Sequence, residues 1–280
     1  MAAMPAAESH LNKIGLIAGY GHFPLELAVA LRAQGKEVHV VAAREETSPD
    51  IEELTASTCW LHVGQIGGMI KAFKRAGVEQ VVMAGKVRKL HLFRNFRPDL
   101  TAMKGLMRLK DRRDDSILNT IADLLAEAGL TLIDQTLYAG DMLAVSGHIA
   151  GLSTAKPKQT DDILFGLKHA RVIAGLDIGQ TVIVQDLAIL AVEAIEGTDA
   201  AIQRGGALGS GHAAVIKVAK PEQDLRFDVP AVGPDTLETM HACGCTLLAI
   251  EARKTLIIER QRFMQLADRY GISVYGTADA

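Results

Sequence analysis

The segment from Lys217 to Pro230 carries most of the residues whose types and spacing could do chemistry. From Asp224 onward, charged and apolar residues alternate, with Asp224, Arg226 and Asp228 on one side of the alternation. In a strand, this spacing places two carboxylates and a guanidinium on one face at intervals of about 7 Å. Carboxylates that bind a metal, with cations that neutralise phosphate, are what phosphoryl transfer requires. A half-exposed edge strand with ion pairs is the alternative interpretation.

Three further carboxylates lie close together at the end of a predicted strand. Glu193, Glu196 and Asp199 follow one another within seven residues. Closely spaced carboxylates at a strand end can hold Mg²⁺, which prefers a few hard oxygens together with substrate phosphate. Asp199, or Thr198 before it, could instead cap a helix that begins near Ala200.

A glycine-rich turn follows the first predicted strand. Residues 19–21 read Gly-Tyr-Gly, as in the first half of a dinucleotide fingerprint, but Pro24 stands where the third glycine belongs. Proline in a first helical turn leaves the helix N-terminus open to a phosphate. The second strand ends in Ala-Ala-Arg at residues 42–44, without an acid for a ribose, which argues against NAD. A nucleotide phosphate here and a turn without a ligand both remain open.

Positive charge is concentrated in residues 86–113, which contain ten Lys and Arg residues but only two acids. Apolar residues are interleaved with this charge, a pattern that suits an anionic membrane surface or a phosphorylated amphiphile. Pro98 prevents one long amphipathic helix. The alternative is a solvated helix–loop–helix whose apolar stripe packs inward.

The pattern of helices and strands that would position these groups predicts an α/β protein of two domains. From Lys13 to Ile133, short apolar strands alternate with helices that end at glycine, which predicts a Rossmann-like domain with a parallel sheet over residues 13–145. Residues 146–160 are rich in Gly, Ser, Thr, Ala, Lys and Pro and predict a linker or flap. Residues 161–280 predict a distinct α+β domain. The glycine turns are expected at the carboxyl edge of the first sheet.

Composition excludes several classes of protein. The 280 residues carry a net charge of −3, which argues against a general nucleic-acid binder. Three cysteines make no disulfide framework, and Cys243 and Cys245 are expected to be buried rather than to bind metal. We expect no secretory signal and no membrane-spanning segment, and therefore a cytoplasmic protein.

Taken together, several motifs resemble the UDP-2,3-diacylglucosamine pyrophosphatase family of the LpxI type, over roughly Lys13 to Gly276. They are GYG at 19–21 with Pro24, GKV at 85–87, DIGQ at 177–180, EAIEGTD at 193–199, and the 217–230 segment with its Gln-Asp-x-Arg sequence. The resemblance implies hydrolysis of UDP-2,3-diacylglucosamine to UMP and the diacylglucosamine 1-phosphate called lipid X, in lipid A synthesis. It also implies dependence on Mg²⁺ (or Mn²⁺) and attack of water at the UMP phosphorus.

Roles for individual residues follow from this resemblance and from motif chemistry. Asp224 is expected to bind the metal or activate water, with Asp228 and Glu196 as second choices for catalysis and Glu193 and Glu196 as further metal ligands. The expected substrate-binding residues are Lys217, Lys220 and Arg226 at the pyrophosphate, Gly19, Gly21, Pro24, Gly64, Gln65 and Lys86 on the nucleotide side, and Asp199.

The expected partners are the glycolipid nucleotide substrate and the inner membrane surface, to which the basic and apolar stretch would attach the protein peripherally. A homodimer is possible, and nucleic acid is not expected. Two other classes of function stay open: a non-catalytic carrier of nucleotide or lipid, and a nucleotide-dependent oxidoreductase supported only by the first glycine turn.

Overall fold

A computed structural model describes residues 12–88, 96–109, 114–152, 157–221 and 223–278. The chain divides into two compact units. Unit 1 comprises the residues up to Tyr138 together with Leu225–Phe227, and unit 2 comprises Ala139–Asp224 and the residues from Asp228 onward.

Unit 1 is built on a parallel five-stranded sheet with the order β3-β2-β1-β4-β5, so the predicted parallel sheet is confirmed. Its described elements are β1 (Lys13–Ala18), α1 (Phe23–Ala33), β2 (Glu37–Ala43), β3 (Ser57–Leu61), α2 (Ile66–Ala76), β4 (Gln80–Ala84), α3 (Leu100–Leu106), α4 (Asp114–Glu127) and β5 (Thr131–Leu132), with 3₁₀ helices at Pro49–Leu54 and Gln135–Tyr138. The strand order reverses between β1 and β4, and ligands of such sheets bind outside the carboxyl ends of the strands.

Burial explains why these apolar runs form the sheet. Leu16 on β1 and Val82 on β4 are fully buried, as expected for strands covered on both faces. Phe73 of α2 packs in the same core cluster as Val81 and Leu125.

Unit 2 contains a mixed six-stranded sheet with the order β6-β13-β11-β9-β7-β8, which confirms the predicted separate α+β domain. Strand β11 pairs in parallel with β9 on one side and with β13 on the other. Strand β6 pairs antiparallel with β13, and β7 pairs antiparallel with both β8 and β9. The described elements are a 3₁₀ helix (Gly140–Met142), β6 (Gly147–Ala150), α5 (Pro157–Gly175), β7 (Thr181–Gln185), β8 (Ala188–Val192), α6 (Thr198–Leu208), β9 (Ala213–Lys217), β10 (Ala231–Val232), α7 (Pro234–Ala242), β11 (Cys245–Glu251), β12 (Leu256–Ile257), α8 (Arg260–Tyr270) and β13 (Ser273–Thr277). Strands β10 and β12 form a separate parallel pair.

Two hydrophobic clusters hold the elements of unit 2 together. One joins Ile202, Leu237 and Phe263 of helices α6, α7 and α8 to the sheet. The other joins Ile163 and Leu167 of α5 to it. The strands β9 and β11 contribute to both clusters and are therefore the centre of this unit.

Two expectations from the sequence are corrected by the structure. The predicted linker at 146–160 contains the edge strand β6, which pairs with β13, and α5 begins at Pro157. The strand expected over residues 224–229 is not formed: residues 225–227 make a turn, across which the amide of Asp228 donates to the carbonyl of Asp224. Within the linker, residues 153–156 lie outside the described residues.

The expected burial of the two C-terminal cysteines is confirmed for Cys245, whereas Cys243 is half-buried. All three are free, and Cys245 is buried at the start of β11. Burial, together with the nearby Cys243, raises the pKa of the Cys245 thiol to about 11, so it stays protonated at neutral pH. Over the part of the chain that is described, we find no helix both long and apolar enough to span a bilayer.

Candidate active site

The segment from Lys220 to Asp228 folds back on itself and is held by its own polar groups. The amide of Lys220 donates to Gln223 Oε1 (2.8 Å), and Gln223 Nε2 donates to Asp228 Oδ2 (2.7 Å). The amide of Asp228 donates to the carbonyl of Asp224 (3.1 Å). Asp224 and Asp228 therefore lie on one turn. The two predicted residues are near each other because of this turn and not because they share one face of a strand.

A buried carboxylate fixes the point at which this segment leaves the sheet. Glu251, at the end of β11, is 4% exposed. Its Oε2 accepts the amide of Ala219 (2.8 Å), and its Oε1 accepts Nη2 and Nε of Arg171 on α5 (3.0 and 3.2 Å). The arginine compensates the cost of burying the charge, because it pairs with it through two hydrogen bonds.

Sequence reasoning missed Glu251 and Arg171, although one signal could have found Glu251. It ends an apolar run, and β11 lies next to β9 in parallel, with Ile250 opposite Lys217. The carboxyl ends of adjacent parallel strands lie at the same edge of a sheet, so an acid ending one strand lies near the segment that leaves the other.

Lys217 and Glu193 lie in a second buried polar group. Lys217 is 5% exposed, and its Nζ donates to Thr198 Oγ1 (2.8 Å), whose hydroxyl donates to Glu193 Oε1 (2.9 Å). The other oxygen of Glu193 accepts the amide of Gln180 (3.4 Å). Gly179 is required beside it, because a Cβ there would lie 2.1 Å from the carbonyl oxygen of Glu193.

Two further predicted residues of unit 2, Lys220 and Glu196, are held by partners of opposite sign. Lys220 Nζ lies 2.6 Å from Asp177 Oδ1. Glu196 accepts a hydrogen bond from Arg204 (2.6 Å). The pKa of Glu196 is lowered, first by a hydrogen bond from its own backbone amide and then by Arg204, so its carboxylate is ionised at neutral pH. Asp199 lies in the first turn of α6.

The fit to a metal ion differs between the predicted ligands. Within the described ranges, no three or more Asp, Glu, His or Cys residues converge in a way that could hold a metal. Mg²⁺ often takes only one or two carboxylates and completes its shell with water and phosphate oxygens, a demand that one predicted ligand, Asp224, would meet; its role as a ligand stays a prediction. Glu193 and Glu196 already bond to Thr198 and Arg204. Their role as ligands stays a prediction.

In unit 1, the turns after β1 and β4 close on each other. The amide of Tyr20 donates to the carbonyl of Lys86 (2.7 Å), and the amide of Lys86 donates to that of Tyr20 (3.2 Å). This approach requires Gly85, whose φ is +82° and whose Cβ would lie 2.7 Å from the Tyr20 carbonyl oxygen. Gly19 and Gly21 flank this bridge, and Pro24 lies in the first turn of α1, so four predicted residues of the nucleotide side meet here.

The other two nucleotide-side residues, Gly64 and Gln65, shape the loop between β3 and α2. Gln65 Oε1 accepts the amide of His62 (2.8 Å). The carboxylate of Asp99 accepts the amides of Gly68 (3.1 Å) and Ala102 (3.0 Å), so the start of α2 already faces a negative group. Binding of substrate by Gly64 and Gln65 remains a prediction.

Arg226 belongs to unit 1, unlike the two aspartates that flank it in sequence. Its Nη2 donates to Asn119 Oδ1 (3.3 Å), and its carbonyl accepts Gln135 Nε2 (3.1 Å). Its guanidinium lies 4.8 Å from the ring centre of Phe227, which packs against the core of unit 1. The expected alignment of Asp224, Arg226 and Asp228 on one strand face is therefore wrong, because residues 224–228 form a turn.

The comparisons with known proteins identify the family. Models of the LpxI N-terminal domain and of the LpxI C-terminal domain match residues 13–142 and 146–275. The chain is 31% identical, over 277 residues, to the UDP-2,3-diacylglucosamine pyrophosphatase LpxI of Caulobacter vibrioides, covering 95% of this chain and 98% of that protein. The matches therefore define a two-domain protein of the LpxI class. This chain belongs to the LpxI family.

Solved structures give only remote likenesses. One is a UDP-glucose-4-epimerase from Stenotrophomonas maltophila, with 14% identity, a TM-score of 0.27 and coverage of 41% of this chain and 34% of that one. Another is a biotin carboxylase from Campylobacter jejuni, with 12% identity, a TM-score of 0.29 and coverage of 82% of this chain and 41% of that one. Scores at this level carry no argument about the site.

We predict that Glu251→Ala lowers the free energy of unfolding by about 1–3 kcal/mol, because it leaves the Ala219 amide and Arg171 without their buried acceptor. The matched control is Glu238→Ala, which removes an exposed partner of Arg262 and should cost less than about 1 kcal/mol. Urea denaturation followed by circular dichroism measures both. Equal losses for the two variants would contradict the role assigned to Glu251.

Proposed function

We propose that this protein hydrolyses the pyrophosphate bond of UDP-2,3-diacylglucosamine, releasing UMP and 2,3-diacylglucosamine 1-phosphate, a step of lipid A synthesis. The chain is a hydrolase that acts on a diphosphate bond. The observation that carries the choice of substrate is the match to the Caulobacter vibrioides pyrophosphatase, which extends over nearly the whole of both chains.

The geometry of unit 2 supports a chemical role for Asp224. In the proposed reaction, the oxygen of water bonds to the UMP phosphorus, and the bond from that phosphorus to the bridging oxygen breaks. The diacylglucosamine 1-phosphate leaves with that oxygen, and the carboxylate of Asp224 accepts the proton of the attacking water. Asp228 lies on the same turn and supplies a second carboxylate beside it.

Cations near this segment would offset the charge of the pyrophosphate. Lys217 and Lys220 are held in place by Thr198 and Asp177 before substrate binds, so their charges need little reorganisation. We propose that Mg²⁺ (or Mn²⁺) is held by Asp224 and Asp228 together with phosphate oxygens. The ion would neutralise charge that develops on the phosphoryl oxygens.

The test is product analysis after incubation of the chain with UDP-2,3-diacylglucosamine, with Mg²⁺ and with EDTA. We expect UMP and 2,3-diacylglucosamine 1-phosphate, with loss of both in EDTA. Asp224→Asn should lower turnover by at least about 100-fold, because the amide cannot accept the proton. Asp235→Asn removes an exposed aspartate elsewhere in unit 2 and should leave turnover unchanged.

Three outcomes would contradict parts of this proposal. No product with any divalent metal would reject the activity and would favour a carrier, which binds the substrate without turnover. Normal turnover by Asp224→Asn would reject the assigned residue but not the reaction. Full activity in EDTA would reject the metal.

We further propose that the protein attaches peripherally to the inner membrane surface, where its diacylated substrate resides. Helix α3 and Met107, which caps its C-terminus, expose apolar side chains beside a basic one: Leu100 is 83% and Met107 79% exposed, and Lys104 lies between them. Exposed apolar residues flanked by positive charge suit an interface of anionic lipid. The rest of the basic stretch, at 89–95 and 110–113, lies outside the described residues.

We predict that the double variant Leu100→Ser, Met107→Ser lowers binding to vesicles containing phosphatidylglycerol by about tenfold, because it removes the side chains that would enter the interface. Cosedimentation measures the bound fraction. Leu176→Ser, at an exposed leucine of unit 2, is the control and should bind as the parent does. Unchanged binding of the double variant would contradict attachment through α3.

A further inference from the structure

A small pocket of about 240 Å³ lies in unit 1, between helix α2 and the strands β2 and β3. Residues 39–41 of β2, residues 57–59 of β3, and Ala72, Phe73, Arg75 and Ala76 of α2 line it. His39 and Ser57 lie near the beginnings of their strands, at the opposite end of the sheet from the carboxyl edge. None of the residues predicted for catalysis or for substrate binding lines this pocket.

A hydroxyl, an imidazole and a carboxylate follow one another beside this pocket. The strand register sets His39 opposite Ser57, and Glu37 lies two residues before His39 on the same face of β2. Ser57 Oγ lies 2.8 Å from His39 Nδ1, and His39 Nε2 lies 3.1 Å from Glu37 Oε1. Groups of these three types in this order can activate a serine as a nucleophile.

The protonation of His39 suits a general base. Burial lowers the pKa of the ring; Glu37 raises that pKa and Lys13 lowers it, each by less, so the imidazole is neutral at pH 7. With its proton on Nε2, which faces the Glu37 carboxylate, the ring can accept the Ser57 proton at Nδ1. The contact from Nε2 to Glu37 is not aligned as a hydrogen bond. Hydrogen bonds of catalytic groups are often poorly aligned before a substrate binds.

The nucleophile is accessible, whereas the base is shielded. Ser57 is exposed, and His39 is only 8% exposed. Strand β3 is at the edge of its sheet, and the amide of Ala56 donates inward to the carbonyl of Val38 (2.8 Å). Because successive amides of a strand point to opposite sides, the amide of Ser57 points to the open edge. It can donate there to an oxygen that becomes negative as the hydroxyl attacks, and Arg75 adds positive charge to the pocket.

The lining of the pocket narrows the class of substrate. Val41, Phe73, Ala72 and Ala76 give it apolar walls. Its volume is below the range of sites for drug-sized ligands, so it suits a short apolar chain rather than a sugar or a nucleotide.

We infer that Ser57 and His39 form a second catalytic site, which hydrolyses carboxylic esters with a short acyl chain, and that Glu37 positions the imidazole. The Ser57 oxygen bonds to the carbonyl carbon, and the hydroxyl proton passes to His39 Nδ1. The bond from that carbon to the alcohol oxygen breaks, and His39 gives the proton to the leaving alcohol. Water then attacks the acyl-serine and gives a proton to His39, which returns it to Ser57 as the carboxylic acid leaves.

The test uses the intact protein with p-nitrophenyl butyrate and with a fluorophosphonate probe, which labels activated serines. We expect saturable release of nitrophenol and a label that peptide mass spectrometry places on Ser57. Ser57→Ala should remove the label, and both Ser57→Ala and His39→Gln should lower hydrolysis by at least about 100-fold. Ser210→Ala is the matched control, because this exposed serine of unit 2 is hydrogen-bonded to Gln185 rather than to a histidine. It should keep the label and the rate of the parent.

The pH profile of hydrolysis separates the positioning role of Glu37 from a merely structural one. The charged groups around His39 are Glu37 on its own strand, Lys13 on β1 and Arg75 on α2. Hydrolysis, read at the isosbestic wavelength of nitrophenol, should fall as the pH drops through the pKa of His39. Glu37→Gln should move the midpoint of this fall to lower pH, because the Glu37 carboxylate raises that pKa. An unchanged midpoint would contradict the positioning role.

Three other outcomes would overturn the inference. They are the absence of a label on Ser57 in the parent protein, equal hydrolysis by Ser57→Ala and Ser210→Ala, and labelling of His39→Gln at the rate of the parent. The first is read on the unaltered chain, so it decides even where a variant fails to fold. Equal rates with the butyrate and decanoate esters would contradict the assignment of a short acyl chain.

Discussion

The hydrogen bonds made by one buried carboxylate fix the point at which the segment with the candidate residues of unit 2 leaves its sheet. Glu251 accepts both the guanidinium of Arg171 and the amide of Ala219, so helix α5 and the strands β9 and β11 are joined at one point. A buried carboxylate without such partners would cost several kcal/mol, so these three elements depend on one another. Asp224 lies five residues beyond Ala219, and its position depends on this anchor and on the turn that follows.

The polar groups around this anchor are paired before a ligand arrives. Lys217 bonds to Thr198, and Thr198 in turn bonds to Glu193, so a lysine and a carboxylate are both buried with a hydroxyl between them. Such a network holds its charges rigidly, because each buried group is satisfied by another. An anionic substrate would then meet positive charge that is already oriented, which is the form of electrostatic assistance that costs least reorganisation.

The sequence was enough to predict the two sheets but not the detail of the candidate site. Strands β1, β2 and β4 are apolar runs, and glycine turns follow β1 and β4, so their pattern predicts parallel strands without reference to distant residues. The alternation of charged and apolar residues from Asp224 to Val229 led to a wrong prediction of a strand, because the same alternation also occurs in a segment that turns. In this segment, a local hydrogen bond between Gln223 and Asp228 takes the place of pairing with another strand. The pairing of Glu251 with Arg171 spans 80 residues, and only the sheet order brings the two together.

The most direct test of the account is to run the hydrolysis of UDP-2,3-diacylglucosamine in water enriched in ¹⁸O and to analyse both products by mass spectrometry. Attack of water at the UMP phosphorus, with Asp224 as the proton acceptor, predicts that the label appears in UMP and that 2,3-diacylglucosamine 1-phosphate stays unlabelled. Label in the 2,3-diacylglucosamine 1-phosphate would place the attack at the other phosphorus and would contradict the mechanism.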